Sequence, residues 1–203
     1  MMKATQIRWR DRPSTPWANG GGRTRELLAW PSPGAWRLRV SVADIEADGP
    51  FSAYPGVRRW FAVLQGGGIA LTIDGAEHAC EPGGEPVAFA GEAAVSARRR
   101  GAASRDLNLM VRGGRGAMHR ARAGAPWQPG AARWGLFTLG PTVCRLDGLR
   151  ADLPAETLLW VEGEAASVVA APLDDGDAFM AWWLAVDLPA DGDRPVDART
   201  AVS

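Results

Sequence analysis

The glycine-rich run at residues 19–26, NGGGRTRE, is a place where residue types and spacing could do chemistry. Asn19 opens three consecutive glycines, which let backbone amides approach a ligand closely and can form an anion-binding nest. Arg25 offers a guanidinium fork for a carboxylate, and Trp17 could form a ligand wall beside the loop. The alternative is a flexible loop before an ordinary charged strand, because a glycine-rich loop alone is weak support for binding.

Two predicted strands carry polar side chains on one face and apolar side chains on the other. In residues 36–43, Arg39 and Ser41 alternate with apolar residues, and in residues 106–111 Asp106 and Asn108 do so. In a sandwich, the polar faces would lie in solvent. In a barrel-like cup, a polar face can line the lumen, where arginine and serine suit a small carboxylate or a polyol. The alternation alone leaves both arrangements open.

Several mechanisms are excluded by residues that the chain lacks. Lys3 is the only lysine, so neither a P-loop nor an internal Schiff-base lysine can form. His78 and His119 are the only histidines, too few for a three-histidine metal site. His78, Cys80 and Glu85 are ligand types that zinc or iron accepts, but a site needs three or four ligands, and the spacing from Gly75 to His78 is too short for the cupin metal pattern. We expect no metal and no cofactor, with Cys80 buried and His78 on the surface.

Charge and composition limit the partners and the location. The 203 residues contain 23 acidic and 23 basic side chains, so nothing draws the whole molecule to nucleic acid or anionic lipid. The sequence contains no run of about 18 apolar residues, so no membrane span is predicted. The first 17 residues lack the apolar core of a signal peptide. Two cysteines make no disulfide framework, so a reducing cytoplasm is expected.

The distribution of turn residues predicts an all-β protein. Glycine and proline total about a fifth of the chain, which favours short strands and turns over long helices. Asp-Gly pairs at 74–75, 147–148 and 175–176 predict hairpins. Residues 113–132 are interpreted as a connector and the tail from Pro189 as frayed. The strands are predicted at residues 3–10, 25–30, 36–43, 59–65, 69–73, 76–80, 86–90, 94–99, 106–112, 133–139, 142–147, 157–162, 166–171 and 178–187.

Ten scattered tryptophans are an unusual number for a chain of this length. Most are expected in the core or between sheets. A carbohydrate-binding module is an alternative, and it would need at least two tryptophan rings on one open face. Exposed sheet edges and the tryptophan-rich C-terminal half are compatible with a homodimer.

Several runs occur together in an order that resembles the HutD/Ves family of bacterial bicupins. They are WANGGGRTRE at 17–26, RVSVA at 39–43, GPFS at 49–52, PG at 55–56, Arg59, FAG at 89–91 and DLNLM at 106–110. Two positions depart from the family pattern. Leu38 stands where the family commonly has tryptophan, and Arg58 stands where an acidic residue commonly precedes Arg59.

The resemblance implies a bicupin, that is, two cupin-like β-barrel or β-sandwich units packed together. Residues 1–112 would form the unit with the ligand pocket, and residues 113–203 a unit that is mainly structural or used for oligomerisation. Proteins of this family often accompany histidine-degradation enzymes. The implied function is therefore metal-free binding of a small carboxylate metabolite such as formylglutamate, which moderates histidine utilisation. No settled enzymatic activity comes with the resemblance.

The family motifs also imply which residues line the N-terminal pocket. They are Asn19, Thr24, Arg25, Glu26, Arg39, Ser41, Phe51, Ser52, Arg59 and Asn108, with Trp17 and Phe51 covering the apolar part of the ligand. The arginines would hold the carboxylate by charge-assisted hydrogen bonds. The competing hypothesis is a cofactor-free isomerase or hydrolase that uses Glu26 or Asp106 as acid or base.

Overall fold

The computed structural model describes residues 2–174 and 178–189, and these are almost entirely β-structure. The strands are β1 Lys3–Arg8, β2 Thr15–Pro16, β3 Gly22–Trp30, β4 Leu38–Ile45, β5 Gly49–Pro50, β6 Val57–Gln65, β7 Ile69–Ile73, β8 Ala76–Cys80, β9 Val87–Ala90, β10 Val95–Arg99, β11 Ser104–Arg112, β12 Arg115–Arg120, β13 Pro126–Trp127, β14 Arg133–Thr138, β15 Thr142–Leu146, β16 Leu149–Leu153, β17 Thr157–Glu162, β18 Val168–Pro172 and β19 Ala181–Asp187. Short 3₁₀ helices span Trp9–Asp11 and Pro33–Ala35. Within the described ranges, no helix has the length and apolar character needed to cross a bilayer.

The strands form two units, each built from a larger and a smaller antiparallel sheet. The N-terminal unit pairs a six-stranded sheet, β2-β3-β4-β11-β6-β9, with a four-stranded sheet, β5-β10-β7-β8. The C-terminal unit pairs a five-stranded sheet, β1-β17-β14-β19-β12, with a four-stranded sheet, β13-β18-β15-β16. Two such pairs of sheets are the arrangement that the sequence predicted.

A shared apolar core joins the two units through the outer faces of their larger sheets. Leu38, Val40 and Val42 of β4 lie in this core, and β6 and β11 contribute alternating residues in the same way. The opposing side comes from β14, β17 and β19 and includes Trp160 and Trp182. Since alternate residues of a strand point to opposite faces, burial of one face against the second unit turns Arg39 and Ser41 inward.

Two of the predicted Asp-Gly hairpins lie in the described residues, and both are confirmed. Asp74 and Gly75 have φ values of 47° and 86°, and Asp147 and Gly148 have 45° and 82°. Positive φ at both central residues is the geometry of the tight two-residue hairpin turn. These turns join β7 to β8 and β15 to β16. The third predicted turn, at residues 175–176, lies outside the described residues.

The prediction of a connector over residues 113–132 is wrong in part, because this stretch contains β12 and β13. Glycine and arginine have no strong preference for strands, but β12 pairs with β19 over its whole length. A Cβ at Gly116 would lie 2.8 Å from the Trp60 ring, so close packing between the units requires a glycine there.

The first strand does not join the sheets of the N-terminal unit. β1 pairs with β17, with Lys3 opposite Glu162 and Arg8 opposite Thr157. The chain therefore begins in the C-terminal unit and then crosses to the N-terminal one. The boundary at residue 112 stays a prediction, but a cut there would remove β1 from its sheet.

Candidate functional site

A cavity of about 580 Å³ opens between the sheets of the N-terminal unit. We call it the N-terminal cup. Its walls combine the inward face of the six-stranded sheet with the segments before β3 and after β5. It is lined by Arg12, Pro13, Thr15, Trp17, Ala18, Asn19, Thr24, Glu26, Arg39, Ser41, Ala43, Pro50, Phe51, Ser52, Tyr54, Arg59, Asp106, Asn108 and Met110. Ten of the eleven residues predicted from the family motifs are in this set, and Arg25 is not.

The register of β3, β4 and β11 brings the polar side chains of the wall together. Glu26 lies opposite Ser41, and Ser41 lies opposite Asn108. In the next row Arg39 lies opposite Met110, which lies opposite Arg59 of β6. Residues at the same level of neighbouring strands have Cβ atoms about 5 Å apart. Side chains far apart in sequence therefore form one polar surface.

Arg59 is a buried cation in the wall of the cup, with 5% of its surface exposed. Its Nη2 donates to Asn108 Oδ1 at 3.2 Å, and its guanidinium lies 4.9 to 5.5 Å from the centroids of the Phe51, Tyr54 and Phe89 rings. Such contacts stabilise a desolvated cation. Burial still lowers the pKa of Arg59 to about 10, which leaves it charged at neutral pH. Its Nε is buried without a hydrogen-bond partner in the described structure.

Asp106 lies beside Arg59 and is 1% exposed. Asn108 Nδ2 donates to Asp106 Oδ2, so the amide of Asn108 connects the carboxyl group to the guanidinium of Arg59. Oδ1 of Asp106 is buried with no partner among the described residues. Burial raises the pKa of Asp106 well above its ordinary value, and the nearby charge of Arg59 opposes this only in part.

Arg39 and Glu26 form an ion pair closer to the mouth of the cup. Arg39 Nε donates to Glu26 Oε2 at 3.0 Å, and both side chains are partly exposed. Arg12 adds a third guanidinium, and its Nε donates to the Glu26 backbone oxygen at 2.9 Å. The cup is thus lined by three arginines, one of them paired with a carboxylate.

Arg25 was predicted to line the cup, but the structure places it on the other face of β3. Thr24 and Glu26 point into the cup, so the residue between them points away. The guanidinium of Arg25 lies 4.8 Å from the centroid of the Trp9 ring, and its Nη1 donates to the Arg12 backbone oxygen. From outside the cup, Arg25 therefore supports the segment that carries Arg12.

The glycine run is a tight turn against β4, and two of its amides are already bonded within the chain. Gly20 N donates to the Trp17 backbone oxygen at 3.0 Å, and Gly21 N donates to Asn19 Oδ1 at 3.0 Å. A Cβ at Gly22 would lie 2.2 Å from the Asp44 backbone oxygen, so the turn needs glycine for close approach. The loop therefore places Asn19 and Trp17 in the wall, and the amides of Gly20 and Gly21 are not open to an anion.

Several lining residues were absent from the set predicted from the family motifs. Ala43 and Met110 follow the alternation of their strands, and Asp106 shares the polar strand face of Asn108 although the family motifs do not include it in the pocket. Arg12 and Tyr54 come from irregular segments. Side chains in such segments follow no periodicity that sequence could show.

The remaining candidates have ordinary environments. Cys80 is buried and His78 is exposed, as predicted, and burial raises the pKa of the Cys80 thiol to about 11. Glu85 accepts a hydrogen bond from the Arg120 backbone amide at 3.2 Å. Among the described residues, no cluster of three or more histidine, cysteine or acidic side chains could hold a metal ion. All ten tryptophans are buried or half-buried, so they do not form the open face with two exposed rings that a carbohydrate-binding module would need.

Comparisons with known proteins agree with this architecture. A family model described as HutD matches residues 10–178. A 21.2 kDa protein in the hutC 3' region of Pseudomonas putida is 38% identical over 147 residues, which is 70% of this chain and 73% of that protein. The protein Ves of Citrobacter koseri is 37% identical over 106 residues, 51% of this chain and 55% of Ves.

Solved structures share the fold over nearly the whole chain. HutD from Pseudomonas fluorescens SBW25 superposes with a TM-score of 0.78 at 25% identity, covering 91% of this chain and 98% of that one. A conserved protein of Pseudomonas aeruginosa PAO1 gives 0.81 at 27% identity, covering 92% and 100%. Bacillus subtilis oxalate decarboxylase, at 0.62 and 10% identity over 90% of this chain and 77% of that one, shares the fold alone. With the match to residues 10–178, these comparisons show that the chain belongs to the HutD family.

Proposed function

We propose that the N-terminal cup binds a small carboxylate metabolite, with formylglutamate as the first candidate, and that the protein thereby moderates histidine utilisation. The observation that carries this proposal is the buried guanidinium of Arg59 in the cup, whose Nε lacks an acceptor in the described structure. A ligand carboxylate would complete the hydrogen bonding of this cation. The relative in the hutC 3' region of Pseudomonas putida supports the connection to histidine utilisation.

The cup offers complementary groups for the rest of such a ligand. Arg39 and Arg12 provide positive charge at the mouth, whereas Ser41 and Asn19 provide hydrogen-bonding groups on the walls. Phe51 supplies apolar surface to pack against a methylene chain. Together these groups suit a short chain with polar ends.

Isothermal titration of the full chain with N-formyl-L-glutamate, urocanate and glutamate tests the ligand assignment. We expect heat and a raised melting temperature with N-formyl-L-glutamate, and weaker effects with the other two. No heat and unchanged melting with all three would contradict the proposal. Arg133→Met is a matched control for variants of Arg59, since Arg133 stacks on Trp30 at 4.2 Å and does not line the cup.

A second candidate is a cofactor-free isomerase or hydrolase, favoured by the different environments of the two carboxyl groups in the cup. Asp106 is buried with a raised pKa, whereas Glu26 is partly exposed and paired with Arg39. Acid and base partners in enzymes often differ in this way. Proton NMR of N-formyl-L-glutamate and urocanate incubated with the protein would detect formate release or isomerisation. An unchanged spectrum with protein in stoichiometric amount would contradict this candidate.

The proposal also places the protein in the cytoplasm. Cys80 and Cys144 are both buried and unpaired, as is usual in a reducing compartment. Fractionation of cells that express the full chain, followed by detection of the protein, tests the location. Recovery outside the cytoplasmic fraction would contradict it.

A further inference from the structure

Asp106 is a buried acid whose protein contacts do not suit a negative charge. One carboxyl oxygen accepts from the amide of Asn108, and the other is buried without a donor in the described structure. Arg59 donates to Asn108 Oδ1 and to the Ser52 backbone oxygen, and not to Asp106. An ionised carboxylate that is desolvated and incompletely hydrogen-bonded is costly, and protonation removes the cost. The geometry therefore favours the uncharged acid.

The charged groups around Asp106 act in opposite directions. Arg59 on β6 favours the ionised form, and Asp44 on β4 disfavours it. Cys80 on β8 lies in the neighbouring apolar cluster, close enough to interact with Asp106, and its thiol has a raised pKa of about 11 and is uncharged at neutral pH. Glu26 on β3 and Arg39 on β4 largely cancel each other as an ion pair.

The protonation state of Asp106 changes the charge of the cup. With Asp106 uncharged, Arg12, Arg39 and Arg59 stand against Glu26 alone, which leaves an excess of two positive charges. Ionisation of Asp106 would halve that excess at the wall where an anion would reach Arg59. A bound anion would in turn make ionisation of Asp106 harder, because like charges in a poorly solvated site repel.

We propose that Asp106 is a specificity-determining residue of the N-terminal cup: its uncharged form accepts the anion, so that anion binding is coupled to uptake of a proton. This inference rests on the proposed function, because it concerns the same ligand. Thermodynamic linkage between proton binding and anion binding gives the direction of the pH dependence of affinity. Below the pKa of Asp106 in the free protein, the acid already carries its proton and affinity is at its maximum. Above that pKa each binding event takes up a proton, so affinity falls by up to tenfold per pH unit.

Isothermal titration with N-formyl-L-glutamate from about pH 5 to 9 tests the coupling, since the ligand carboxylates stay ionised throughout this range. Each titration is run in two buffers of different ionisation enthalpy, which gives the number of protons taken up. In the unmodified protein we expect uptake that rises toward one proton, together with weakening affinity, as the pH increases. Titrations without proton uptake at any pH in this range would overturn the inference without any variant.

Asp106→Asn identifies the group, because it keeps the shape of the side chain and removes its titration. We expect this variant to lose the proton uptake and most of the pH dependence of affinity. Asp152→Asn is the control, since Asp152 is an exposed acid of the C-terminal unit that pairs with Arg150 and does not line the cup, and it is expected to retain the coupling. Equal uptake in the unmodified protein and in Asp106→Asn would overturn the inference.

The two proposals fail in different ways. If N-formyl-L-glutamate gives no heat at any pH and leaves melting unchanged, the ligand assignment is contradicted, and the coupling with it. If it binds with the same proton count and the same affinity at every pH, only the coupling is contradicted. A folded Asp106→Asn variant is recognised by its melting transition before any titration.

Discussion

The two units have the same architecture but use the space between their sheets differently. In the N-terminal unit, Ser41, Arg59, Asp106 and Asn108 are buried polar residues around an open cup. In the C-terminal unit, the corresponding space is filled. Its core consists of Trp134, Leu136, Cys144, Leu146, Val161, Val168, Trp183 and their neighbours, with Trp127 stacked on Trp183 at 4.6 Å and 7° between the rings.

The difference shows how one fold can place an open polar cavity in one unit and a filled, stabilising core in the other. Buried charges and an open cavity lower the stability of the unit that contains them. A filled aromatic core and a shared apolar interface supply stability elsewhere in the chain. The buried polar groups in the filled unit are threonines, and Thr138 and Thr142 hydrogen-bond each other and the Gly140 backbone oxygen. No charge is buried there among the described residues.

Removal of a stacked ring from the filled unit should have the largest effect on stability. Trp183→Ala leaves a void between Trp127 and Trp134, so we expect a loss of about 3–5 kcal/mol in the free energy of unfolding. Urea denaturation measures it. Affinity of the cup for N-formyl-L-glutamate should remain unchanged in the folded variant. Leu149→Ala is the control, because Leu149 is 69% exposed and its loss should cost less than about 0.5 kcal/mol.

In the N-terminal unit, loss of the buried cation in the cup should have the largest effect on binding. Arg59→Met removes the cation and keeps an apolar chain among the aromatic rings, so we expect affinity to fall about 100-fold, roughly 2–3 kcal/mol. Calorimetric titration gives the dissociation constant. Arg133→Met should bind as the unmodified protein does. An affinity in Arg59→Met within threefold of the unmodified protein would remove the main support for the cup as an anion site.

Asp106 should make the stability of the chain depend on pH. Its folded-state pKa is raised above the unfolded value of about 3.8. Between these two values the folded state holds a proton that the unfolded state has lost, so its contribution to stability decreases as pH rises. The slope is up to about 1.4 kcal/mol per pH unit for one proton. Urea denaturation from about pH 4 to 8 should show this slope, relative to Asp106→Asn. Parallel curves for the two proteins would contradict it.

The smallest difference concerns the two arginines that the family motifs treat alike. Arg39→Ala removes a partly exposed guanidinium from the cup, and we expect affinity to fall about tenfold, roughly 1.4 kcal/mol. Arg25→Ala acts outside the cup through the Arg12 segment, and we expect a change below about threefold. Titration of both variants under the same conditions compares them. A larger loss in Arg25→Ala would show that the Arg12 segment controls the ligand.

Strand periodicity predicted the sheet that forms the cup, and the reasons are visible in single residues. Leu38 and Val40 pack against the second unit while Arg39 and Ser41 face inward, so the alternation in the sequence is the alternation in the structure. The same rule places Arg25 outside the cup, between Thr24 and Glu26. The family motifs instead placed Arg25 in the pocket, against this alternation, and the prediction for Arg25 was wrong for this reason.

Other features depend on contacts that the local sequence does not show. β16 is an exception, because Leu149, Ala151 and Leu153 alternate with polar residues after the predicted turn, so the sequence did carry a strand signal that the prediction missed. β12 forms on pairing with β19, which lies more than 60 residues later. Arg12 reaches the cup from an irregular segment. For β12, long-range pairing decides the structure, and local propensity does not.

The position of β1 has a consequence for how the protein is made. The partners of β1 are the residues of β17, from Thr157 to Glu162, so the first strand has no place to pair until most of the chain has left the ribosome. The sheets of the N-terminal unit use residues 15–112 and can assemble earlier. During synthesis from the N-terminus, β1 therefore stays unpaired until β17 is available. Its pairing with β17 is then a late step that connects the two units.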